Sequence, residues 1–239
     1  MRQVPSPGTA PLGIVGDGRV ARHFHHYFEL LNLPVRRWSR RAADCSPSEA
    51  LEGCGTILVL IPDAAIEPFI AAWPWLSGSR LVHCSGSLIT TAAECAHPLM
   101  TFGPDLYDLA SYQRIPFVLD SGRTPFHVLI PGLPNRSFTI PADARPSYHA
   151  HCVMAGNFST LLWLRLFDQL EGRFGIPAEA AHPFLAQTAR NLVADPGRAL
   201  TGPLARGDAA TIAANLTALE GDPFREVYAA FARAYARSR

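Results

Sequence analysis

The stretch Leu12–Ala21, LGIVGDGRVA, constrains the fold of this chain more than any other part of its sequence. It places Gly16, Gly18 and Ala21 between an apolar run, predicted to be the first strand, and a segment with helical periodicity. In such a unit the first glycine permits a tight turn, the second lets a diphosphate approach the main chain, and the small third residue lets the helix pack closely. The N–H groups at the start of the helix then face the anion. An ordinary glycine-rich turn is the alternative, but strand, spacing and helix together favour a dinucleotide site.

The residues after the second predicted strand indicate which dinucleotide the site favours. A site for NAD usually carries an acidic residue there, about 20 residues after the glycines, to hold the ribose hydroxyls. Here the chain reads Trp38-Ser39-Arg40-Arg41, without a carboxylate to repel a 2′-phosphate and with two guanidinium groups that can bind one. A solvated basic turn is the alternative. The sequence therefore predicts NADP rather than NAD. The predicted cofactor-binding residues are Gly13, Gly16, Asp17, Gly18, Arg19, Val20, Ser39, Arg40, Arg41, Ile61, Pro62, Ser85 and Gly86.

Strands and helices alternate through the first half of the chain. The predicted strands are Leu12–Val15, Pro34–Trp38, Thr56–Ile61, Arg80–Cys84, His97–Phe102 and Ile115–Leu119. The clearest helices are Val20–Leu31 and a segment that begins after Pro62 and runs towards Trp75. Repetition of strand, helix and strand predicts parallel pairing with right-handed crossovers. We therefore predict an α/β fold, in which an N-terminal Rossmann-type, mostly parallel sheet is followed by an all-helical C-terminal domain.

The second half of the chain is predicted to be helical. Ser121–Pro146 is rich in proline and is predicted to connect two domains, with at most a short strand at Ser137–Ile140. Ser147–Arg173 is apolar nearly all round, which is typical of a helix buried on every side, so we expect a second copy of the chain to cover it. Further helices are predicted at Ala178–Ala194, Asp208–Leu219 and Asp222–Arg237, the last two with acidic N-caps. The predicted domains are residues 1–145, for dinucleotide binding, and 146–239, for homodimerisation and substrate binding.

Composition excludes several classes of partner. With 21 basic and 20 acidic residues and a formal net charge of +1, the chain gives no reason to expect nucleic acid or a membrane surface. No apolar run approaches the roughly 20 residues of a membrane-spanning helix, and MRQVPSPGTAPLG lacks the layout of a signal peptide. The 5 cysteines form no C-x-x-C pair and are expected to be reduced, small, buried side chains. We expect a cytoplasmic protein.

In an open α/β sheet the ligand lies beyond the carboxyl ends of the strands. Ser85 and Gly86 follow a predicted strand, where a hydroxyl and bare backbone can approach a nicotinamide or a substrate. A plain turn is the alternative. His97 stands at the beginning of the next predicted strand, so it is expected to face the opposite edge and to be structural.

The helical half carries the other catalytic candidates. Tyr148, His149 and Asn157 lie on the first long predicted helix, and the last two are spaced to share one face. A histidine and an amide on an apolar helix are suited to donate a proton and to anchor a substrate, and a satisfied core histidine is the alternative. Arg206 lies in a predicted loop before a helix that Asp208 caps. Its guanidinium can grip a substrate carboxylate, and a simple pair with Asp208 is the alternative.

No metal site is predicted. His23, His25 and His26 cluster on the first helix, and His149 and His151 are close together. Neither set has a carboxylate or cysteine at ligand spacing. The first three are therefore expected on the outer face of their helix.

The chain contains no lysine, and this favours one type of reduction. Reducing a ketone leaves an alkoxide that needs a proton, whereas a protonated imine gives an amine directly. Arginine is a poor proton donor near neutral pH, because its pKa is above about 12. A site without lysine therefore favours C=N over C=O substrates.

The order of several segments resembles that of a group of bacterial Rossmann-like proteins with a helical C-terminal domain of unknown function. The segments are the glycine turn, IPDAAI, HCSGSL, HPLMTFG, YHAHCVMAGN and LTGPLARGD, and the resemblance runs roughly from Leu12 to Leu219. The group is similar to pyrroline-5-carboxylate reductase and, more distantly, to ketopantoate reductase and the 6-phosphogluconate dehydrogenase C-terminal-like proteins. The resemblance implies an NADP-binding Rossmann domain, a helical dimerising domain and reductase activity. The chain departs from the group at Ser121–Pro134, where a helix between two strands is expected and the segment is short and proline-rich.

Two functions follow from these observations. The first is an NADP(H)-dependent, dimeric oxidoreductase that reduces a small imine or carbonyl substrate bearing an anionic group. The second is a non-catalytic NADP(H)-binding redox sensor or partner-binding module. This alternative is retained because the chain has no lysine that could act as a general acid.

Overall fold

The computed structural model describes residues 10–42 and 44–238. The prediction that the chain lacks a signal peptide concerns residues 1–9 above all, and these lie outside the described residues.

Within the described residues, seven strands form one sheet in the order β2-β1-β3-β4-β5-β6-β7. The strands are β1 (Leu12–Val15), β2 (Val35–Trp38), β3 (Thr56–Val59), β4 (Arg80–His83), β5 (Glu94–Pro98), β6 (Phe117–Asp120) and β7 (Ser137–Ile140). Neighbours from β2 to β5 are parallel, β6 is antiparallel to β5, and β7 is parallel to β6. The α/β class with a mostly parallel sheet is therefore confirmed.

The first strand lies at the point where the chain changes direction across the sheet. β1 pairs with β2 on one side and with β3 on the other, so Val15 lies beside both Trp38 and Val59. The residues of β1 and β3 are all buried, as expected for central parallel strands. In open α/β sheets the crevice for a ligand lies at this topological switch point, beyond the carboxyl ends of the strands.

The α-helices in the described residues are α1 (Arg19–Leu30), α2 (Pro47–Ala50), α3 (Asp63–Ala72), α4 (Leu109–Gln113), α5 (Phe126–Leu129), α6 (Arg145–Val153), α7 (Ser159–Gly172), α8 (His182–Ala194), α9 (Gly202–Arg206), α10 (Ala209–Ala218) and α11 (Phe224–Arg237). A single turn of π-helix, Met154–Phe158 (called the π-turn below), interrupts the long helix predicted at residues 147–173. None of the described helices combines the length and the hydropathy needed to cross a bilayer.

Helix α1 packs on the sheet through the apolar face that its periodicity predicts. Phe24, Tyr27 and Phe28 are buried in the core. The prediction that His23 lies on the outer face is wrong, because this residue is only 1% exposed. Its Nδ1 lies 2.8 Å from the hydroxyl of Tyr112, and its Nε2 lies 3.0 Å from the carbonyl oxygen of Gly103. The histidine thus satisfies both ring nitrogens while it anchors the chain between β5 and α4.

The segment from Ser121 to Pro146 is part of the sheet domain, so its prediction as a domain connection is wrong. Its strand β7 has the predicted bounds and extends the sheet beside β6. Helix α5, with Phe126 and Leu129 buried, supplies the helix between two strands that the resemblance implies. Pro125 has φ −60°, which suits the entry to a helix, so the proline helps to begin α5 rather than to prevent it.

By its packing, the chain divides into two compact units, the first ending at Ser159 and the second beginning at Thr160. The first unit contains the whole sheet and helices α1 to α6. The assignment of residues 1–145 to nucleotide binding and of 146–239 to dimerisation and substrate binding stays a prediction.

The second unit is helical, as predicted. The ring centroids of Trp163 and Phe184 lie 5.2 Å apart, which joins α7 to α8. Asp208 caps α10 as predicted, accepting a hydrogen bond of 3.0 Å from the N–H of Thr211. Residues 202–206, predicted as a loop, form the short helix α9, which Gly207 ends with φ +67°.

Burial of two groups of side chains was predicted, with a second copy of the chain covering the long helix; that cover stays a prediction, whereas the expected burial of every cysteine is wrong at Cys45. Leu161 and Leu164 on α7 are 54% and 56% exposed, although the sequence predicts a helix buried on every side. All the cysteines are free, and Cys54 and Cys95 are buried as expected, whereas Cys45 is exposed.

Candidate functional site

The glycine turn after β1 has the geometry that its sequence predicts. Gly16 has φ +122°, and a Cβ atom there would lie 2.3 Å from the carbonyl oxygen of Leu60, so only glycine fits. Its N–H donates to the carbonyl oxygen of Trp38 over 2.8 Å. Gly18 has an ordinary φ of −67° and precedes α1, and a Cβ there would meet no atom within 4 Å. Ala21 is fully buried against the sheet. The turn therefore leaves open space above Gly18 and none beside Gly16.

The start of α1 adjoins this open space. No side chain caps the helix and its first turn has no acidic residue, which favours an anion at the backbone N–H groups. Asp17 and Arg19 are exposed beside Gly18, and Val20 is half-buried. Gly13 lies within β1, where a Cβ would fall 2.8 Å from a carbon of Ile57, so this glycine serves the packing of β1 on β3.

The basic residues after β2 lie next to the turn. Gly16 is hydrogen-bonded to Trp38, and Ser39, Arg40 and Arg41 follow directly. Ser39 is half-buried, whereas both arginines are exposed. Two guanidinium groups are thus available beside the glycine turn, as a 2′-phosphate site requires.

The ends of β3 and β4 carry four further predicted residues. Ile61 is half-buried, and its Cγ2 would lie 3.4 Å from a Cβ at position 16, so it lines the glycine turn. Pro62 is exposed and precedes α3. Ser85 donates its hydroxyl proton to Asp63 over 2.5 Å. The same oxygen accepts hydrogen bonds from the N–H groups of residues 87 and 88, so this hydroxyl organises the turn in the free protein.

Gly86 makes room for His149. A Cβ at Gly86 would lie 2.0 Å from the Nδ1 of His149, which is far inside van der Waals contact. That Nδ1 is buried and has no hydrogen-bond partner among the described residues. The sequence predicts bare backbone here for a ligand, and the structure places a histidine ring of the same chain against it.

His97 lies beside His149 and Tyr148, although sequence reasoning placed it at the opposite edge. That expectation is wrong because the strand begins at Glu94, runs parallel to β4, and so carries His97 near its carboxyl end. The Nδ1 of His97 lies 2.9 Å from the Tyr148 hydroxyl, and its ring centroid lies 5.7 Å from that of His149. Burial, together with His149 and Arg145, lowers the pKa of His97 to about 4. Burial also raises the pKa of Tyr148.

A buried ion pair lies among these groups. Arg145, the first residue of α6, is fully buried, and its Nε donates to the Oδ1 of Asp120 over 3.1 Å. The Nη1 of Arg145 and the Nδ1 of His83 are buried without a partner among the described residues. Burial, with a smaller contribution from Arg145, lowers the pKa of His83 to about 4. Sequence reasoning missed all three residues, and no local motif distinguishes them.

The other predicted site residues are exposed. Asn157 lies in the π-turn, a kind of helical irregularity that is frequent at functional sites. Arg206 ends α9 in the second unit. The Asp208 carboxylate is engaged with Thr211, whose N–H and hydroxyl both donate to it. Among residues 10–42 and 44–238, no three His, Cys, Asp or Glu side chains are arranged to hold a metal ion.

Comparison with known proteins gives a match to one family model and matches to solved structures. Residues 121–235 match the family model described as "Domain of unknown function (DUF2520)". No curated protein sequence matches the chain. Among solved structures, a Bacteroides fragilis protein assigned as an NADP oxidoreductase has a TM-score of 0.73 at 22% identity, covering 95% of this chain and 97% of that chain.

Two further solved structures have named activities. A reductive aminase from Aspergillus terreus, in complex with NADPH and ethyl levulinate, has a TM-score of 0.63 at 17% identity, covering 97% of this chain and 94% of that chain. A pyrroline carboxylate reductase from Plasmodium falciparum, with NADP bound, has a TM-score of 0.57 at 13% identity, covering 96% and 97%. These likenesses show the fold, and at that level they confirm the resemblance to pyrroline-5-carboxylate reductase.

Proposed function

We propose that this chain is an NADP(H)-dependent oxidoreductase that reduces a C=N or C=O bond of a small molecule. The observation that carries the proposal is the glycine turn, in which Gly16 allows no side chain and Gly18 faces open space. The turn lies at the topological switch point of the sheet, where dinucleotides bind in open α/β folds. Solved structures of the same fold that hold NADPH or NADP support the proposal.

The residues beside the turn favour NADP over NAD. The chain has no carboxylate at the end of β2, where a site for NAD holds the ribose hydroxyls. Arg40 and Arg41 are exposed there, and each can make two charge-assisted hydrogen bonds to a phosphate. The diphosphate would be held by the N–H groups at Gly18 and Arg19, where α1 begins.

The reacting end of the site would lie beyond β4 and β5. When bound, the nicotinamide supplies a hydride. The protein groups at these strand ends are Ser85, His97, Tyr148 and His149, the last with its ring against the backbone of Gly86. Their work is to orient the substrate, exclude water and hold a proton where charge develops.

The substrate proposed is a small imine or carbonyl compound with an anionic group. We propose Arg206 for that group, because its guanidinium is exposed and suited to a carboxylate, although its charge also acts on Asp208. Asn157 would anchor the substrate from the π-turn. The absence of lysine favours the imine, which is already electrophilic when protonated.

We also propose that two copies of the chain associate through the helical unit. Helix α7 exposes Leu161, Leu162 and Leu164, and Phe174 and Ile176 follow it with 58% and 42% exposure. Large exposed apolar side chains grouped on and just after one helix are typical of an interface. A second copy presents the same surface, so the contact can be self-complementary.

The decisive experiment compares NADPH and NADH binding in two arginine variants. Arg40→Ala removes a proposed phosphate ligand, whereas Arg36→Ala removes an exposed arginine from β2 itself, before the strand end. Nucleotide fluorescence titration should show NADPH binding weakened about tenfold or more by the first change, a loss of about 1.4 kcal/mol. NADH binding should change little, and Arg36→Ala should bind both nucleotides like the wild type.

Oxidation of NADPH by the wild type, with a panel of cyclic imines and 2-keto acids, then distinguishes an enzyme from a binding protein. Turnover with any of them supports the reductase. NADPH binding without turnover favours the redox sensor or partner-binding module. Absence of heat with either nucleotide in a calorimeter would refute the proposed function.

A further inference from the structure

The hydrogen bond between Tyr148 and His97 joins two groups that can each carry a proton. It spans 2.9 Å and links helix α6 to strand β5, near the carboxyl ends of the central strands. We infer that these two residues form a proton relay, in which Tyr148 donates to the substrate and His97 restores the proton of Tyr148. The inference rests on the proposed function and names a residue, His97, that sequence reasoning left as structural.

The surroundings hold the pair in one arrangement. His149 is wedged against the backbone of Gly86, and its ring lies edge-on to that of His97 at an interplanar angle of 85°. The rings of Tyr148 and His97 are also edge-on, with centroids 5.5 Å apart. A relay needs such fixed geometry, since the proton moves only between heavy atoms within hydrogen-bond reach.

The charges around the pair favour the protonation states that the relay needs. The groups whose charge acts on His97 are His149, Arg145, Asp63 and His83. Burial, His149 and Arg145 hold the pKa of the imidazole near 4, so it is neutral at physiological pH. Burial keeps the Tyr148 hydroxyl protonated by raising its pKa. The pair therefore starts as a neutral donor and a neutral relay group.

The relay conserves protons and electrons. Hydride transfer from the proposed nucleotide forms a C–H bond and leaves an alkoxide, or the anion of a neutral imine. The Tyr148 O–H bond then breaks, and its proton goes to that oxygen or nitrogen. The Nδ1–H of His97 returns a proton to the phenolate oxygen, while Nε2 takes one from a water molecule that leaves as hydroxide and is neutralised in bulk solvent. Proton exchange with solvent then restores the Nδ1–H form of the ring. No other reactant is needed.

The relay widens the class of substrates expected from composition. A protonated imine needs no proton after hydride transfer, but a ketone does. Tyr148 can supply it, although the chain contains no lysine. The inference therefore brings ketones within reach of the proposed enzyme. It predicts that reduction of a ketone or a neutral imine depends on Tyr148, whereas reduction of a preformed iminium does not.

The kinetic test uses Tyr148→Phe and His97→Gln, with His151→Gln as a control on the same helix. His151 is exposed and contacts the carbonyl oxygen of Ser147. With a ketone, Tyr148→Phe should lower kcat about 100-fold or more, within the usual range for a lost general acid. His97→Gln should lower it and change the solvent deuterium isotope effect. With a preformed iminium the loss should be less than about threefold, and His151→Gln should match the wild type.

A second measurement needs no nucleotide and no turnover. In the free wild-type protein labelled with ¹⁵N-histidine, the His97 resonances should titrate near pH 4, and Tyr148→Phe should shift the Nδ1 resonance. An unchanged Nδ1 resonance of His97 in Tyr148→Phe would overturn the inference. Wild-type ketone turnover that Tyr148→Phe retains would overturn the relay alone, whereas no turnover with any substrate would refute enzymatic function and the relay together.

Discussion

The two glycines of the turn should respond in opposite ways to the same substitution. At Gly16, alanine must adopt φ +122° and place its Cβ 2.3 Å from the carbonyl oxygen of Leu60. A forbidden backbone conformation costs about 1–3 kcal/mol, and a backbone clash adds to it. We expect Gly16→Ala to lose about 2–4 kcal/mol of unfolding free energy. For a chain of this length, that lowers Tm by about 4–16 °C.

At Gly18 the same change should leave stability nearly constant. Its φ of −67° suits alanine, and the new Cβ would meet no atom within 4 Å. Lower entropy of the unfolded chain contributes about 0.4–1 kcal/mol. Alanine is a poorer N-cap than glycine by a similar amount, so the two effects offset within about 0.5 kcal/mol. The methyl group nevertheless occupies the space proposed for the diphosphate, so NADPH binding should weaken about tenfold or more.

The assay pairs thermal unfolding with NADPH fluorescence titration, and Gly78→Ala is the control. Gly78 also faces open space with an ordinary φ, but it lies in a 3-10 helix before β4. The control should leave NADPH binding unchanged and raise the unfolding free energy by no more than about 1 kcal/mol, because no N-cap penalty offsets the entropy gain there. A Gly16→Ala variant as stable as the wild type would refute the strain argument. A Gly18→Ala variant that binds NADPH normally would show that no diphosphate lies on this turn.

Three further substitutions test separate contacts. Gly86→Ala must displace the ring of His149, so we expect it to lower the unfolding free energy by about 1–3 kcal/mol in thermal unfolding. A Tm within about 1 °C of the wild type would contradict the contact. Asp120→Asn leaves the buried guanidinium of Arg145 without a counter-charge. We expect it to lower the unfolding free energy, measured with urea, by about 3–5 kcal/mol. An unchanged urea midpoint would show that the pair is not buried. Leu164→Glu puts a charge into the proposed dimer surface and should halve the mass found by light scattering; a wild type that is already monomeric would refute the dimer.

The sequence was most informative where local signals agreed. The first strand, the glycine turn and the apolar face of α1 all follow from adjacent residues, because periodicity and backbone freedom are local properties. Gly16 shows this well, since its need for a positive φ arises from the turn itself. The bounds of β7 were also predictable, because Ser137–Ile140 is short and stands between prolines.

The features that the sequence did not predict are contacts and strand directions that depend on tertiary structure. Periodicity indicates a strand but not its direction, so neither the reversal at β6 nor the correct edge for His97 was predictable. Helix α6 carries both Arg145 and Tyr148, but their partners Asp120 and His97 lie on two different strands, and only the order of strands in the sheet brings them to this helix. His23 lay outside the predicted apolar face, because its partner Tyr112 is 89 residues away. Residues brought together from distant segments leave no pattern in either segment alone.

The contact between Gly86 and His149 has a consequence for how this sequence can vary. Any side chain at position 86 takes the volume that the imidazole at position 149 now fills. The two positions are therefore coupled in evolution, and a histidine at 149 should occur only in homologues that keep glycine at 86. A lineage that acquires a larger residue at 86 while it keeps the histidine has to move this ring away from the strand ends, and loses there whatever the ring contributes to the chemistry.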